Sequence, residues 1–186
     1  YPGSFNPLHT GHVELALASL KSIERTEECP PPLIFEISVA NADKAPLERD
    51  EIIRRIQQFR RYGDSILAGA GIENYGICIT SEPLFRTKSE IFRDCRFVLG
   101  ADTLSRLMNI KYYENSGNMM INAFQIMSER GCSFIVGGRV VNKDDEQIFE
   151  SLEDILKGLM NDESMYGSND VRITLIKLLD SMSVGI

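Results

Sequence analysis

A turn rich in glycine and proline near the start of the chain constrains the fold most strongly. It has the sequence GSFNPLHTGH over residues 3–12 and begins where a strand would end. Residues 12–22 follow directly, and their apolar side chains recur at helical spacing, so one face of this helix can pack on a sheet. The pattern therefore predicts a strand, a turn and a helix in direct succession. Ligands of such α/β units bind beyond the carboxyl ends of the strands, which makes this turn the first candidate site.

Segments with strand-like and helix-like patterns alternate through the rest of the chain. Strands are predicted over residues 33–39, 96–100 and 132–136, and helices over residues 47–62, 104–108, 119–130 and 147–156. Residues 171–177 alternate as a final strand does, with a helix as the alternative. The alternation of the two types predicts an α/β fold with a parallel sheet and helices on both faces.

Size and charge limit the classes of protein that fit. The chain has 186 residues, which suits one domain over residues 1–186 with a core large enough to offset chain entropy. Its formal charge of -7 argues against a general nucleic-acid binder, because phosphate backbones are bound by clustered Lys and Arg. No apolar run approaches the length that crosses a bilayer. We therefore expect no nucleic-acid partner and no membrane partner, while a homo-oligomer stays open.

The cysteines indicate the compartment. Cys29, Cys78, Cys95 and Cys132 are widely spread and lack a paired metal-ligand spacing such as CxxC. They are expected to be free thiols in a reducing environment. The chain shows no signal-peptide pattern, although it starts at Tyr1 and is expected to lack its true beginning. The predicted location is cytoplasmic or nuclear.

The residue types of the first turn suit an anionic ligand. Gly3 lets the backbone approach a ligand closely, and Pro7 stiffens the turn. The helix N-terminus that follows presents free N–H groups and positive partial charge. His9 and His12 lie three residues apart, which puts both imidazoles on one side of the first helical turn, and Gly11 between them leaves room for a triphosphate. We predict a phosphate site here.

Two other roles are open to an HxxH pair. It can lie on the surface, or it can bind zinc with a third ligand. His9 and His12 are the only two histidines of the chain, and the glycines and proline around them suit a phosphate and are unnecessary for zinc. The prediction is therefore a phosphate site in which protein side chains hold no metal.

The segment GSFNPLHTGH resembles the GxFxPxHxGH signature of the HxGH nucleotidyltransferases, a Rossmann-like superfamily. The superfamily includes nicotinamide and nicotinate mononucleotide adenylyltransferases, pantetheine-phosphate adenylyltransferases and cytidylyltransferases. The resemblance implies transfer of a nucleotidyl group from ATP, with Mg²⁺, to a phosphorylated small-molecule acceptor. It implies that His9 and His12 are catalytic and that four further residues of the turn bind the nucleotide, namely Gly3, Ser4, Phe5 and Gly11.

A second turn, Gly100-Ala101-Asp102, resembles the GAD turn of the pyridine nucleotide adenylyltransferases, in which the Gly and the Asp contact the adenosine ribose. A carboxylate at a strand end can accept hydrogen bonds from both ribose hydroxyls, and Gly100 permits close approach of the sugar. The alternative role for Asp102 is that of a helix N-cap.

The same resemblance implies binding roles for further residues. Asn41 and Lys44 lie in a loop after the second strand, where the family carries a lysine before a helix; a solvated loop lysine is the alternative. Arg139 follows the late strand and is expected to bind the nucleotide. The chain has no Trp to stack on a pyridine ring, so Tyr112 or Tyr113 is expected to do so, with ordinary packing as the alternative.

Together these similarities point to an adenylyltransferase that joins AMP to nicotinamide or nicotinate mononucleotide and releases pyrophosphate. A pantetheine-phosphate adenylyltransferase or a cytidylyltransferase is one alternative, and a catalytically weak nucleotide-binding regulatory protein is another. Length and acidic charge disfavour a class I tRNA synthetase, which shares the motif. The superfamily continues with an ISSTxxR-like stretch that binds the triphosphate, and Ile186 matches its first residue, so the sequence is expected to be truncated at both ends.

Overall fold

The computed structural model describes residues 1–24, 32–43, 45–143, 146–161 and 169–186. Contacts within the chain define two compact units, Tyr1–Pro83 and Leu84–Ile186, and each is described by itself. Lys44 and Cys29 lie outside the described residues. Among the helices that the structure describes, none has the length and apolar character needed to cross a membrane.

The first unit combines helices with a small parallel sheet. Its elements are α1 (Thr10–Glu24), β1 (Leu33–Ser38), α2 (Arg49–Gln58), a π-helical turn (Phe59–Gly63), α3 (Asp64–Gly69) and β2 (Tyr75–Thr80). β1 and β2 pair in parallel, and Pro2 forms a parallel bridge to Glu36 on β1. The N–H of Gly3 donates to the carbonyl of Glu36 at 3.0 Å. The predicted strand before the turn is therefore reduced to this single bridge beside β1, and the predicted turn and helix α1 follow it.

Aromatic rings fill the core of this unit. Phe5, Phe35 and Phe59 are fully buried, and their ring centroids lie 5.0 to 5.4 Å from one another. Val13 and Ala16 add the apolar face of α1 to this cluster. Burial of one such phenyl ring contributes about 1.5–3 kcal/mol. The same packing that stabilises the unit therefore holds the start of the turn, because Phe5 is part of it.

The second unit has a three-stranded parallel sheet and a hairpin. Its elements are α4 (Phe85–Ile91), β3 (Arg96–Gly100), α5 (Ala101–Leu107), a 3₁₀ turn (Ile110–Tyr113), α6 (Gly117–Glu129), β4 (Ser133–Gly137), β5 (Arg139–Lys143), β6 (Glu146–Glu150), α7 (Leu152–Met160), α8 (Asn169–Met182) and β7 (Ser183–Gly185). β4 lies between β3 and β7, and all three are parallel. β5 and β6 form an antiparallel pair.

The strands β3 and β4 of this sheet are buried on both faces. Val98 on β3 and Ile135 on β4 are buried, as are their neighbours along each strand. Such strands show continuous apolar runs, and this is why the sequence predicts them well. Both sheets are parallel and their strands are connected through helices, so the predicted α/β class is confirmed.

Two predictions near the end of the chain are wrong. Residues 147–156 were expected to form one helix, but β6 ends at Glu150 and α7 begins at Leu152. A capping box starts the helix there: the Ser151 hydroxyl accepts from the N–H of Asp154 at 3.2 Å, and the Asp154 carboxylate accepts from the N–H of Ser151 at 3.1 Å.

The strand predicted over residues 171–177 is also absent, and the helical alternative is correct. α8 buries Leu175, Leu179 and Met182, which lie at helical spacing, whereas Ile173 is 43% exposed. A short run of alternating residues cannot by itself distinguish the two forms. Four strands, β2, β5, β6 and β7, and the helices α3 and α4 were not predicted.

The cysteines of the described residues are free thiols. Cys95 and Cys132 stand side by side at the starts of β3 and β4, with their sulfur atoms 4.0 Å apart. Burial is the main cause that raises the pKa of Cys95 to about 12, and the neighbouring Cys132 thiol adds to it. Cys95 is therefore held as a thiol at neutral pH, and Cys78 is free as well.

Candidate nucleotide site

The turn over residues 3–12, hereafter the histidine turn, is built around the ring of Phe5. A Cβ atom on Gly3 would lie 2.6 Å from the Cζ atom of Phe5, so the position has room only for glycine. Phe5 is 0% exposed and has a φ of +44°. The structure thus gives Gly3 a packing role in addition to the predicted approach to a ligand. Because the Phe5 side chain belongs to the core, only the backbone of this residue can contact a nucleotide.

The two histidines lie against each other at the start of α1. Their ring centroids are 3.7 Å apart and their planes are inclined by 28°, so the imidazoles are stacked. The backbone N–H of His9 donates to Nδ1 of His12 at 3.2 Å. Because Nδ1 accepts this bond, the proton of neutral His12 is on Nε2. The turn therefore fixes one tautomer of His12, with Nε2–H as its donor.

His12 is neutral at physiological pH. Burial lowers its pKa to about 4, and electrostatic interaction with the neighbouring His9 adds to this effect. The ring of Phe5 meets the imidazole of His12 edge-on at 5.1 Å, and Tyr1 lies on the same side at 6.2 Å. His12 therefore acts as a neutral hydrogen-bond donor. The positive field at this point comes from the N-terminus of α1.

Gly11 controls the position of His9. A Cβ atom at residue 11 would lie 3.3 Å from both Cε1 and Nδ1 of the His9 imidazole, which is closer than ordinary packing. His9 is exposed and Ser4 is exposed as well. The predicted site residues of the histidine turn are thus close together, and their imidazoles and free N–H groups are placed to donate hydrogen bonds to an anion.

A row of polar side chains on α2 bonds to the histidine turn, and sequence reasoning missed it. The N–H of Leu8 donates to Oε1 of Gln58 at 3.0 Å, and Nη1 of Arg55 donates to the carbonyl of Ser4 at 2.9 Å. Glu51 forms an ion pair with Arg55 at 2.7 Å. Glu51, Arg55 and Gln58 recur at i, i+4 and i+7, so they follow one helix face. Polar residues at this spacing, beside the apolar stripe of the same helix, are the sequence signal that could have revealed these contacts.

The loop after β1 is partly described. Asn41 is exposed, and its Oδ1 accepts from the N–H of Asp43 at 2.8 Å, which forms an Asx turn. Lys44 lies outside the described residues. The structure thus places Asn41 at the carboxyl end of β1, where ligands of parallel sheets bind.

In the second unit the structure brings together two residues that were predicted separately. Asp102 is the second residue of α5, and its side chain is 89% exposed. Nη1 of Arg139 lies 2.9 Å from Oδ1 of Asp102, and Nε of Arg139 lies 3.0 Å from Oε2 of Glu150. Glu150 was not predicted, since its segment was expected to be helical. Gly100 is the N-cap residue of α5, so the N-cap alternative for Asp102 is wrong.

The two tyrosines of the second unit have different surroundings. The hydroxyl of Tyr113 donates to the carbonyl of Leu107 at 2.8 Å, and its ring packs 6.4 Å from that of Phe124. Burial raises the pKa of Tyr113. Tyr112 is half-buried, with the ammonium of Lys111 4.6 Å above its ring. The Tyr113 side chain is thus engaged in packing and hydrogen bonding within the unit, whereas Tyr112 keeps part of its ring exposed.

The described residues bring together no group of three or more His, Cys, Asp or Glu side chains that could hold a metal ion. His9 and His12 accordingly have no third metal-ligating side chain among them. The zinc alternative for this pair requires such a ligand. The imidazole and backbone N–H donors of the histidine turn suit the oxygen atoms of an anion.

The sequence of residues 1–158 matches the family described as cytidylyltransferase-like. The match covers most of the chain, and the chain belongs to this family. It is therefore a nucleotidyltransferase with a Rossmann-like α/β fold, and it binds a nucleotide. Among curated proteins, none matches the chain.

Proposed function

We propose that this nucleotidyltransferase transfers AMP from ATP to nicotinamide or nicotinate mononucleotide, forming a dinucleotide and pyrophosphate. The transfer itself follows from the family. The observation that carries the proposal is the stacked pair His9 and His12 at the start of α1, where His12 has a single outward donor. The choice of a pyridine mononucleotide is supported by the resemblance of residues 100–102 to the GAD turn.

The proposed reaction is a direct displacement at phosphorus. A phosphate oxygen of the mononucleotide attacks the α-phosphorus of ATP, and the bond from that phosphorus to the oxygen bridging to the β-phosphate breaks. Pyrophosphate leaves with the bonding electrons, and no covalent enzyme intermediate forms. Such a transfer needs alignment and charge stabilisation more than acid–base chemistry.

Each residue of the histidine turn has a role in this proposal. His9 and Nε2–H of His12 donate to triphosphate oxygens and stabilise the charge that develops in the transition state. The backbone at Gly3, Ser4, Phe5 and Gly11 lines the phosphates. Because its pKa of about 4 lies far below neutral pH, His12 is already in its neutral form and offers the single Nε2–H as its donor. Mg²⁺ would enter with ATP.

The remaining contacts are proposed unit by unit. In the second unit Asp102 would accept from the ribose hydroxyls of the adenosine, beside the close approach that Gly100 permits, and Arg139 would contact a nucleotide phosphate. Tyr112 would stack on the pyridine ring. In the first unit Asn41 and Lys44 would bind the acceptor mononucleotide. The exposed carboxylate of Asp102 is available to a sugar because only one of its oxygens is paired with Arg139 in the structure.

A panel of nucleotides and acceptors tests this function. Purified protein with Mg²⁺ is incubated with ATP or CTP and with each of four acceptors: nicotinamide mononucleotide, nicotinate mononucleotide, 4′-phosphopantetheine and phosphocholine. We expect a dinucleotide from ATP with a pyridine mononucleotide. A product from CTP, or from phosphopantetheine, would identify one of the alternative transferases. ATP binding without any product would indicate the regulatory protein.

Replacement of Gly100 by alanine separates a ligand role from a packing role. A Cβ atom there would meet no heavy atom of the described residues within 4 Å, and the φ of -82° is ordinary for any residue. We therefore expect Gly100→Ala to change the free energy of unfolding by no more than about 0.5 kcal/mol. The added methyl group should nevertheless raise the Kd for ATP about 10-fold, because it occupies space that the sugar needs.

Gly158→Ala is the matched control for this substitution. Gly158 lies in α7 of the same unit, is exposed, and also has open space around a Cβ atom. Both variants are compared with the original chain by thermal unfolding and by titration with ATP. Equal ATP affinity for all three proteins would remove Gly100 from the nucleotide site.

A further inference from the structure

We propose that Gln58, supported by Arg55, is a positioning residue that holds the two histidines in the geometry needed to stabilise the transition state. Both side chains lie on α2, and neither belongs to the histidine turn itself. The effect on turnover rests on the proposed function of His9 and His12. The effect on the histidine geometry does not, and it can be measured without any substrate.

The amide of Gln58 joins two backbone groups of the turn. Oε1 accepts from the N–H of Leu8 at 3.0 Å, and Nε2 donates to the carbonyl of Phe5 at 3.3 Å. The side chain is only 8% exposed, so these bonds are made away from water. Buried backbone groups outside helices and strands need such partners. One planar amide thereby sets the distance between residues 5 and 8.

Arg55 fixes the turn one residue earlier. Its Nη1 donates to the carbonyl of Ser4 at 2.9 Å, and its Nε is held by Glu51 at 2.7 Å. Arg54 also bonds to Glu51, and it donates to the side-chain oxygen of Asn6. Hydrogen bonds from Arg54 and Arg55 lower the pKa of Glu51 to about 2, so the carboxylate that orients Arg55 is ionised at neutral pH.

The positioning reaches the histidines through one peptide unit. Leu8, whose N–H is held by Gln58, directly precedes His9, and the N–H of His9 donates to Nδ1 of His12 at 3.2 Å. That bond is already near the long end of the normal range, so a shift of about 1 Å at residue 8 would break it. His12 would then lose its single tautomer. Misplacement of a catalytic group by about 1 Å can lower the rate about 100-fold.

The test compares Gln58→Met with Gln57→Met. Methionine keeps the length of the side chain and removes both hydrogen bonds of Gln58. Gln57 is its exposed neighbour on α2, so the second variant makes the same change on the solvent side of the helix. For Gln58→Met we expect kcat to fall about 100-fold with little change in KM, because the histidines are misplaced while the rest of the nucleotide site remains. Gln57→Met should keep the original kcat.

Imidazole ¹⁵N NMR provides the readout that a merely structural role would not change. The chain has only two histidines, so their signals can be assigned readily. We expect His12 to show the Nε2–H tautomer alone in the original chain and in Gln57→Met, and a mixture of tautomers in Gln58→Met. A single Nε2–H tautomer together with unchanged kcat in Gln58→Met would overturn the proposal.

Two further measurements keep the test decisive. Where Gln58→Met does not fold, Gln58→Glu retains an acceptor for Leu8 and loses the donor to Phe5, and it should show the same tautomer mixture in weaker form. A Gln58→Glu variant with the original tautomer and kcat would also overturn the proposal. If no acceptor gives a product, the proposed function fails, and the NMR comparison still decides whether Gln58 positions the histidines.

Discussion

Replacement of His12 by alanine is expected to lower kcat by about 100- to 1000-fold, the loss typical of removing one preorganised donor from a transition state. The imidazole is only partly buried and is not part of the aromatic core. The free energy of unfolding should therefore fall by no more than about 1 kcal/mol. Steady-state kinetics with the acceptor found in the panel, together with thermal unfolding, measures both quantities.

Two isosteric variants identify which nitrogen of His12 matters. In His12→Gln the side-chain amide can donate from near the position of Nε2, whereas in His12→Asn an oxygen can only replace Nδ1 as acceptor for His9. Because the donor at Nε2 is the proposed functional group, His12→Gln should retain more activity than His12→Asn. Equal activity of the original chain and His12→Ala would exclude His12 from the mechanism, and a more active Asn variant would assign the role to Nδ1.

The pH dependence gives a further check on His12. Its pKa in the folded protein, about 4, lies below the usual value of 6.5, so the unfolded chain binds a proton first as the pH falls. The contribution of His12 to stability is therefore complete above about pH 6.5 and is lost as the pH falls toward 4. The His12→Ala variant should lack this loss. Urea unfolding of both proteins at a series of pH values measures the difference.

Replacement of Phe5 by alanine is expected to lower the free energy of unfolding by about 3–5 kcal/mol, the cost of a large cavity in a packed core. The ring is fully buried, and its centroid lies 5.3 to 5.4 Å from those of Phe35, Phe59 and Tyr1. The total free energy of unfolding of a natural domain is only about 5–15 kcal/mol, so this loss is severe. Urea denaturation followed by circular dichroism measures it.

Phe149→Ala serves as the control for Phe5→Ala. Phe149 is 60% exposed on β6, so the same truncation should cost no more than about 1 kcal/mol. Phe5→Ala should also disturb the histidines, because Phe5 packs on Gly3 and on His12. A Phe5→Ala variant as stable as the original chain would show that the turn does not depend on the aromatic core.

Local patterns in the sequence predicted the elements whose burial follows a simple repeat along the chain. β3 and β4 have continuous apolar runs because both faces are buried, and α1 has a clear apolar stripe. The boundary between β6 and α7 was missed because residues 147–156 show one continuous periodicity. Only the capping box at Ser151 marks the change from strand to helix.

The histidine turn was predictable because its residue types and spacing are local. Its supports were not, since the bond from Leu8 to Gln58 joins positions 50 residues apart. The same holds within the second unit, where the bond from Arg139 to Asp102 joins positions 37 apart. Periodicity shows that Gln58 and Arg55 share a helix face, but it does not show which segment that face meets. The fold is needed to identify the partner.

The fate of the α-phosphate of ATP tests nucleotidyl transfer to a pyridine mononucleotide most directly. Protein, Mg²⁺ and either nicotinamide or nicotinate mononucleotide are incubated with ATP labelled at the α-phosphate and, in a parallel reaction, at the γ-phosphate. We expect the α label in a dinucleotide and the γ label in pyrophosphate. Retention of the α label in ATP, AMP or ADP with both mononucleotides would contradict the proposed function.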